Sequence, residues 1–277
     1  MNRVKSLRGL SLIYGRSRRI GTVPGTKAMS LALCSLMLWS QTVWALPQGS
    51  NVVSGNASVS TPTSTTMHIN QSTDKAIINW QGFSIAQNEA VRFFQPGSNS
   101  VALNRVVGAD PSYIYGQLSA NGRVFVVNPN GLLVGPTGRI ETAGFLGSTM
   151  NISNEDFLSD KYIFKNISSS IASIVNQGTI NISDGGFAVL AATSVTNEGT
   201  IIANLGKVHL ASGEEVALNF AGNELISLVV NKASDNGSIF NSGSIKADGG
   251  LITLTARQAD NALKGIVNNI GVIEAKG

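Results

Sequence analysis

Asn176-Gln-Gly-Thr-Ile180, Asn197-Glu-Gly-Thr-Ile201, Asn241-Ser-Gly-Ser-Ile245 and Asn269-Ile-Gly-Val-Ile273 are four versions of one phrase. A second phrase follows the first three: Gly186-Phe-Ala-Val-Leu190, Gly206-Lys-Val-His-Leu210 and Gly250-Leu-Ile-Thr-Leu254. Asn176 and Asn197 stand 21 residues apart and Gly186 and Gly206 stand 20 apart; both next intervals are 44, which predicts one more, divergent turn between them. Short alternating apolar segments closed by Gly at this period indicate an all-β stacked solenoid, a parallel β-helix. A coil of some 20 residues cannot bury its own apolar face, but a pile of such coils makes a continuous core.

Alternation assigns the faces. Val175, Ile180, Leu190, Val208, Leu210, Ile245 and Leu254 are expected inside, with Lys207 and His209 on the opposite, solvated face of their strand. The recurring Gly is expected to supply positive φ at the corners. The recurring Asn is expected to form a ladder of side-chain amides from coil to coil.

Residues 46–70 are rich in Ser, Thr, Gly and Asn and are expected to form first strands and a cap. Residues 76–94 read as strand, turn and strand, with Trp80, Phe93 and Phe94 expected in the core. In residues 119–150, VFVV and LLVG flank Asn128-Pro129-Asn130-Gly131 like the arms of a hairpin. Pro129 sets φ for a turn, Asn130 or Gly131 can take positive φ, and Asn128 can bond the backbone two residues on. Asn154 to Leu158 is the one plausible helical turn. No Pro- or Gly/Ser-rich linker divides residues 46–277, which are expected to form one domain. The repeat is still running at Gly277, which suggests a fragment or truncation of a longer chain.

The first 45 residues are of another kind. Seven cationic side chains, from Arg3 to Lys27, precede the apolar run Ala28–Trp39, and Val43 and Ala45 occupy the −3 and −1 positions of a cut before Leu46. That order is a signal peptide with a long n-region, cleaved between Ala45 and Leu46. Its removal leaves 13 basic against 16 acidic side chains, a net charge of −3, which argues against nucleic acid as a partner. Cys34, the one cysteine, lies in the apolar run, and Leu33 before it does not suit lipidation. The mature chain then has no thiol for a periplasmic disulfide to trap.

A catalytic or metal constellation is not visible. The two histidines, His68 and His209, are far apart in sequence, the acids are scattered, and Asp184 and Asp248 precede Gly-Gly pairs where Asp is a turn residue. The expectation is a non-enzymatic protein without cofactor or metal. A surface module binding a host-cell ligand through its β-helix face, and a polysaccharide-active β-helix, remain as alternatives.

Several blocks then fall in a familiar order. They are Ile77-Ile-Asn-Trp80 with Phe83 and Ile85, Leu103-Asn-Arg-Val106, Gly116-Gln-Leu118, Asn121-Gly-Arg-Val-Phe125, Val127-Asn-Pro-Asn-Gly-Leu132, Gly144-Phe-Leu-Gly-Ser-Thr149 and Asn151-Ile-Ser-Asn-Glu-Asp-Phe157. Residues 46–277 resemble the two-partner secretion, or haemagglutination-activity, domain of filamentous-haemagglutinin-like exoproteins, nearest the high-molecular-weight adhesin branch. The resemblance implies a right-handed parallel β-helix with an N-terminal cap and extra-helical strands or hairpins. It implies export through the Sec machinery and a partner outer-membrane β-barrel transporter whose periplasmic domains bind this region. The product would be secreted or held at the surface of a Gram-negative cell. The family carries two Asn-Pro-Asn motifs. The second matches Asn128, Pro129, Asn130 and Gly131; the first has no clear match, and Asn104 occupies its approximate place.

Overall fold

The computed structural model describes residues 46–167, 172–257 and 267–277. The leader and Ala45 lie outside the described residues. From Leu46 onward the chain winds into a parallel β-helix whose coils present three faces.

The first face stacks Lys75–Trp80, Val101–Val106, Arg123–Val127, the second half of Arg139–Ser148, the second half of Thr179–Ala192, Lys207–Ser212 and Leu251–Ala256, all in parallel register. The second stacks Thr66–Gln71, Ala90–Phe94, Gln117–Ala120, the first halves of the same two long strands, Thr200–Ile202, Ser244–Lys246 and Val272–Glu274. The third stacks Ser112–Ile114, Leu132–Val134, Ser173–Asn176, Ser194–Asn197, Ser238–Asn241 and Val267–Asn269. Two antiparallel strands close the lower end. Asn51–Ser54 pairs with Lys75–Trp80 and Ala57–Thr63 with Thr66–Gln71, so the first rungs do not offer a bare edge.

The alternation puts Ile78, Val126, Leu190 and Leu210 of the first face into one core, with Ile140, Ile180, Ile201 and Ile245 of the second and Ile174, Val195 and Ile239 of the third. Ile180, Leu190, Val208, Leu210 and Ile245 are buried as expected, and Leu254, on the last described rung of its face, is partly buried. Val175 is not in this core. Ile174 points inward and Val175 outward on the third face, because Ser173-Ile-Val-Asn176 has its inward polar partner at Asn176.

Outward-pointing residues of the first face form a second core. The register lines up Ile77, Leu103, Phe125, Leu146, Val189 and His209 as one column. A three-stranded antiparallel sheet of Tyr162–Lys165, Glu215–Ala221 and Glu224–Lys232 covers that column with Phe164, Val216, Leu228 and Val230. This covering sheet is the extra-helical element. Cations of the helix hold it in place: Lys207 Nζ pairs with Glu224 at 2.6 Å, Arg257 Nη1 donates to the carbonyls of Val230 and Asn231 at 3.3 and 3.2 Å, and the Arg123 guanidinium lies over the rings of Phe187 and Phe220. Lys75 Nζ lies over the Tyr162 ring while it donates to the carbonyls of Phe157 and Leu158 and pairs with Asp160 at 2.8 Å.

The covering sheet also explains the 44-residue intervals. Thr196 pairs with Phe240, Ile201 with Ile245 and Leu210 with Leu254, so no divergent coil intervenes. The surplus residues leave the helix after Ser212 and return at Ser238, making the hairpin Glu215–Lys232. An earlier excursion carries the helical turn Asn154–Leu158, where expected, with Ser153 as its N-cap accepting from the Asp156 amide at 3.0 Å.

The recurring Gly acts by proximity. A Cβ on Gly178, Gly199, Gly243 or Gly271 would lie 2.1–2.4 Å from the carbonyl oxygen of a Gly in the coil below, and none of the four has positive φ. The column needs absence of a side chain, not left-handed backbone. Gly185 and Gly249 do take positive φ, at 77° and 70°.

Candidate functional site

Asn128-Pro-Asn-Gly131 does not join the arms of a hairpin. Arg123–Val127 belongs to the first face and Leu132–Val134 to the third, so the four residues make the corner between two faces of one coil. A tight turn signal serves either geometry, and only the pairing of the flanking strands separates them.

The corner is held by both asparagines. Asn128 Oδ1 accepts the Asn130 amide at 2.9 Å, the Asx-type turn that the sequence suggests, and Gly131 takes φ 119°. Asn128 Nδ2 donates to the Asp110 carbonyl at 3.0 Å and to Ser112 Oγ at 2.9 Å; Asn130 Nδ2 donates to the Gly108 carbonyl at 2.9 Å. All three acceptors belong to the preceding coil's turn or to the strand that follows it. The motif therefore fastens one coil to the one beneath, and Asn128 is fully buried in doing so. Pro129 and Asn130 remain half-buried.

Asn104 lies one coil below the strand that leads into that corner and shares no hydrogen bond with the motif. It points into the helix among apolar residues, in register with Ile78 and Val126. Its Oδ1 accepts Trp80 Nε1 at 3.0 Å, and its Nδ2 donates to the carbonyls of Ala102 and Phe125 at 3.3 Å. Such an amide satisfies the indole of the largest buried side chain, a structural task. Trp80 and Phe93 are buried as expected, whereas Phe94 is exposed on the second face.

The next residue, Arg105, was not singled out from sequence. Its Nε donates to Asn151 Oδ1 at 2.9 Å, Nη1 to Asn154 Oδ1 at 2.8 Å and Nη2 to the Ile152 carbonyl at 2.6 Å. The Leu103–Val106 and Asn151–Phe157 blocks are thus joined physically. Only their joint presence in one sequence hinted at this.

The expected amide ladder is present. Asn176 Nδ2 donates to Asn197 Oδ1 at 2.7 Å, Asn197 to Asn241 at 2.7 Å and Asn241 to Asn269 at 2.6 Å. His209 does point away from the helix interior, but it is not solvated. The covering sheet buries it to 2% exposure, neither ring nitrogen has a partner among the described residues, and burial, followed by nearby Lys207, pushes its pKa down to about 4. Among the described residues no group of three His, Cys, Asp or Glu side chains is placed to hold a metal ion.

The chain is 39% identical over 226 residues to a heme/hemopexin-binding protein of Haemophilus influenzae strain KW20 / Rd, a match over 79% of the chain and 24% of that protein. A second Haemophilus influenzae heme/hemopexin-binding protein is 33% identical over 266 residues, covering 88% of the chain and 28% of the relative. The chain thus spans about a quarter of the length of these curated relatives. The crystal structure of the HMW1 secretion domain from Haemophilus influenzae superposes with a TM-score of 0.72 at 34% identity, over 80% of this chain and 57% of that one. The family model of the TPS secretion domain matches residues 44–277. By sequence and fold alike, the chain belongs to the TPS secretion domain family.

Proposed function

We propose that residues 46–277 are the export signal of a two-partner exoprotein. The leader is cleaved between Ala45 and Leu46 after Sec-dependent passage of the inner membrane. The exposed domain then engages the periplasmic domains of an outer-membrane β-barrel transporter, and the β-helix folds coil by coil at the surface of a Gram-negative cell. This reading assigns export to these residues and leaves the haem or haemopexin binding named for the relatives to sequence outside the quarter they share. No catalytic role is assigned.

The supporting observation is the Asn128–Gly131 corner. Beyond the bonds that the two asparagines make to each other, its side-chain amides bond to the preceding coil, so it closes after that coil is in place. Folded, Asn128 has no surface to offer a transporter. Recognition through Asn128 would therefore precede closure of the corner, and in the finished domain the motif is a fastener. Each added coil buries apolar area worth about 25 cal/mol per Å², a bias for outward movement that needs no nucleotide.

The double variant Asn128→Ala, Asn130→Ala is the test. Secretion should fall when it is co-expressed with the transporter. Circular dichroism and binding to the transporter's periplasmic domains then separate the causes. Lost fold marks the fastener; normal fold with lost binding marks direct recognition. Wild-type secretion and binding would remove the motif from the export step. N-terminal sequencing of the secreted chain should begin at Leu46.

A further inference from the structure

The outward side of the second face differs from the other two. The first face is covered by its extra sheet, and the third shows a mainly apolar register column of Tyr113, Leu133, Val175, Thr196 and Phe240. On the second, register aligns Arg92 with Ser119, Ser119 with Glu141 and Glu141 with Asn181. Four neighbouring strands thus present a guanidinium, a hydroxyl, a carboxylate and an amide in one row, about 4.8 Å apart. Arg92, Ser119 and Asn181 make no side-chain hydrogen bond among the described residues, and Glu141 accepts only a 3.3 Å bond from Gln117.

Beside this row stands Phe94, 46% exposed. His68 braces it edge-on, with ring centroids 5.1 Å apart and an interplanar angle of 77°. Asn121 closes the end of the row, its amide clamped to the Gln95 backbone by bonds of 2.7 and 2.8 Å. Arg92, Phe94, Ser119, Asn121, Glu141 and Asn181 line a surface groove of about 550 Å³.

The chemistry narrows the occupant. A braced, exposed ring offers an apolar platform, and the row beside it offers donors and acceptors at regular intervals. Arg92 and Glu141 cancel in charge, which disfavours a polyanion. An extended peptide adding to the sheet would need an open backbone edge, and here the backbone is already paired on both sides. A pyranose chain has apolar ring faces and a rim of hydroxyls in regular repeat.

We propose that this groove binds a neutral oligosaccharide laid across the strands. Phe94 stacks on one sugar ring, while Arg92, Ser119, Glu141 and Asn181 bond successive hydroxyls. The assignment is independent of the export reading and stands or falls separately.

The probes are neutral hexasaccharides of the cello-, chito-, laminari-, malto- and manno- series, with a heparin hexasaccharide as polyanionic control. Binding to the purified chain is read by saturation-transfer NMR and titration calorimetry. At least one neutral probe should bind. Phe94→Ala should weaken it tenfold or more, Asn181→Ala three- to tenfold, and Phe94→Tyr should retain it, while thermal melting of Phe94→Ala stays near wild type. If no neutral probe transfers saturation, if heparin alone binds, or if Phe94→Ala binds as tightly as wild type, the proposal is overturned.

Discussion

The upper and lower halves of the helix solve the same stacking problem differently. From Asn176 upward, coils are held by copies: an asparagine bonds the next asparagine, and a glycine lies against the preceding glycine's carbonyl. Below, each coil has its own device: Asn104 over Trp80, Arg105 across to Asn151, the Asn128–Gly131 corner over Gly108 and Asp110. Copies propagate by addition of further copies. Unique networks fix which coil sits on which, and so define where the stack begins.

Substitutions can break this contrast. The largest effect is expected from Gly199→Ala, whose Cβ would meet the Gly178 carbonyl oxygen at 2.2 Å. A loss of about 3 kcal/mol or more should appear in urea unfolding. The same change at Gly82 in the lower half, where nothing lies within 4 Å, should stay within about 0.5 kcal/mol.

Removing one amide from each half comes next. Asn197→Ala strands a donor on Asn176 and an acceptor on Asn241, and Asn104→Ala strands the Trp80 indole. Each should cost about 2–3 kcal/mol. Hydrogen exchange should tell them apart. The first variant should quicken exchange at Gly178 and Gly243, two coils at once, whereas the second should act only around Trp80 and Asn104.

The buried histidine gives a pH test. Folded, His209 titrates at about 4, against about 6.5 when unfolded. Between those values the unfolded chain binds more protons, so this contribution is intact above pH 6.5 and shrinks as pH falls toward 4. About 2 kcal/mol should be lost between pH 7.5 and pH 5, and His209→Leu should flatten that slope. An unchanged slope would mean that the covering sheet does not keep the ring dry.

The smallest effect is a gain. Leu205 has φ 53° and is 65% exposed, and its amide bonds the Asp248 carbonyl as the Gly185 amide bonds that of Asn204. Leu205→Gly should restore the residue used at the stacked corners above and below and raise stability by about 0.5–1 kcal/mol. A fall in melting temperature would count against strain at this corner.

What could be read from sequence divides along the same line. The copies announced themselves through period, and with them came the parallel stack, the ladder and most of the core. The hairpin behind the 44-residue interval did not, because apolar alternation in Glu215–Lys232 resembles that of another coil. Val175 was misplaced because Ile174 beside it is equally apolar. His209 was assigned the correct side of its strand, but local pattern carries no sign of a second layer arriving from another segment. The Asn128–Gly131 turn was legible in its Asx bond and illegible in its role, since a turn's chemistry does not say which sheets its flanks will join.

The excursions have a mechanical consequence. Drawn from its C-terminal end, a stack of parallel coils yields by peeling, one rung at a time. The 21 residues from Asn176 to Asn197 would release about 70 Å of contour, and the 44 from Asn197 to Asn241 about 150 Å. The strand Tyr162–Lys165 is paired edge to edge with Glu215–Leu218, so the hairpin must shear from it before the lower rungs can follow. A force trace should show one long, late-yielding step among short ones.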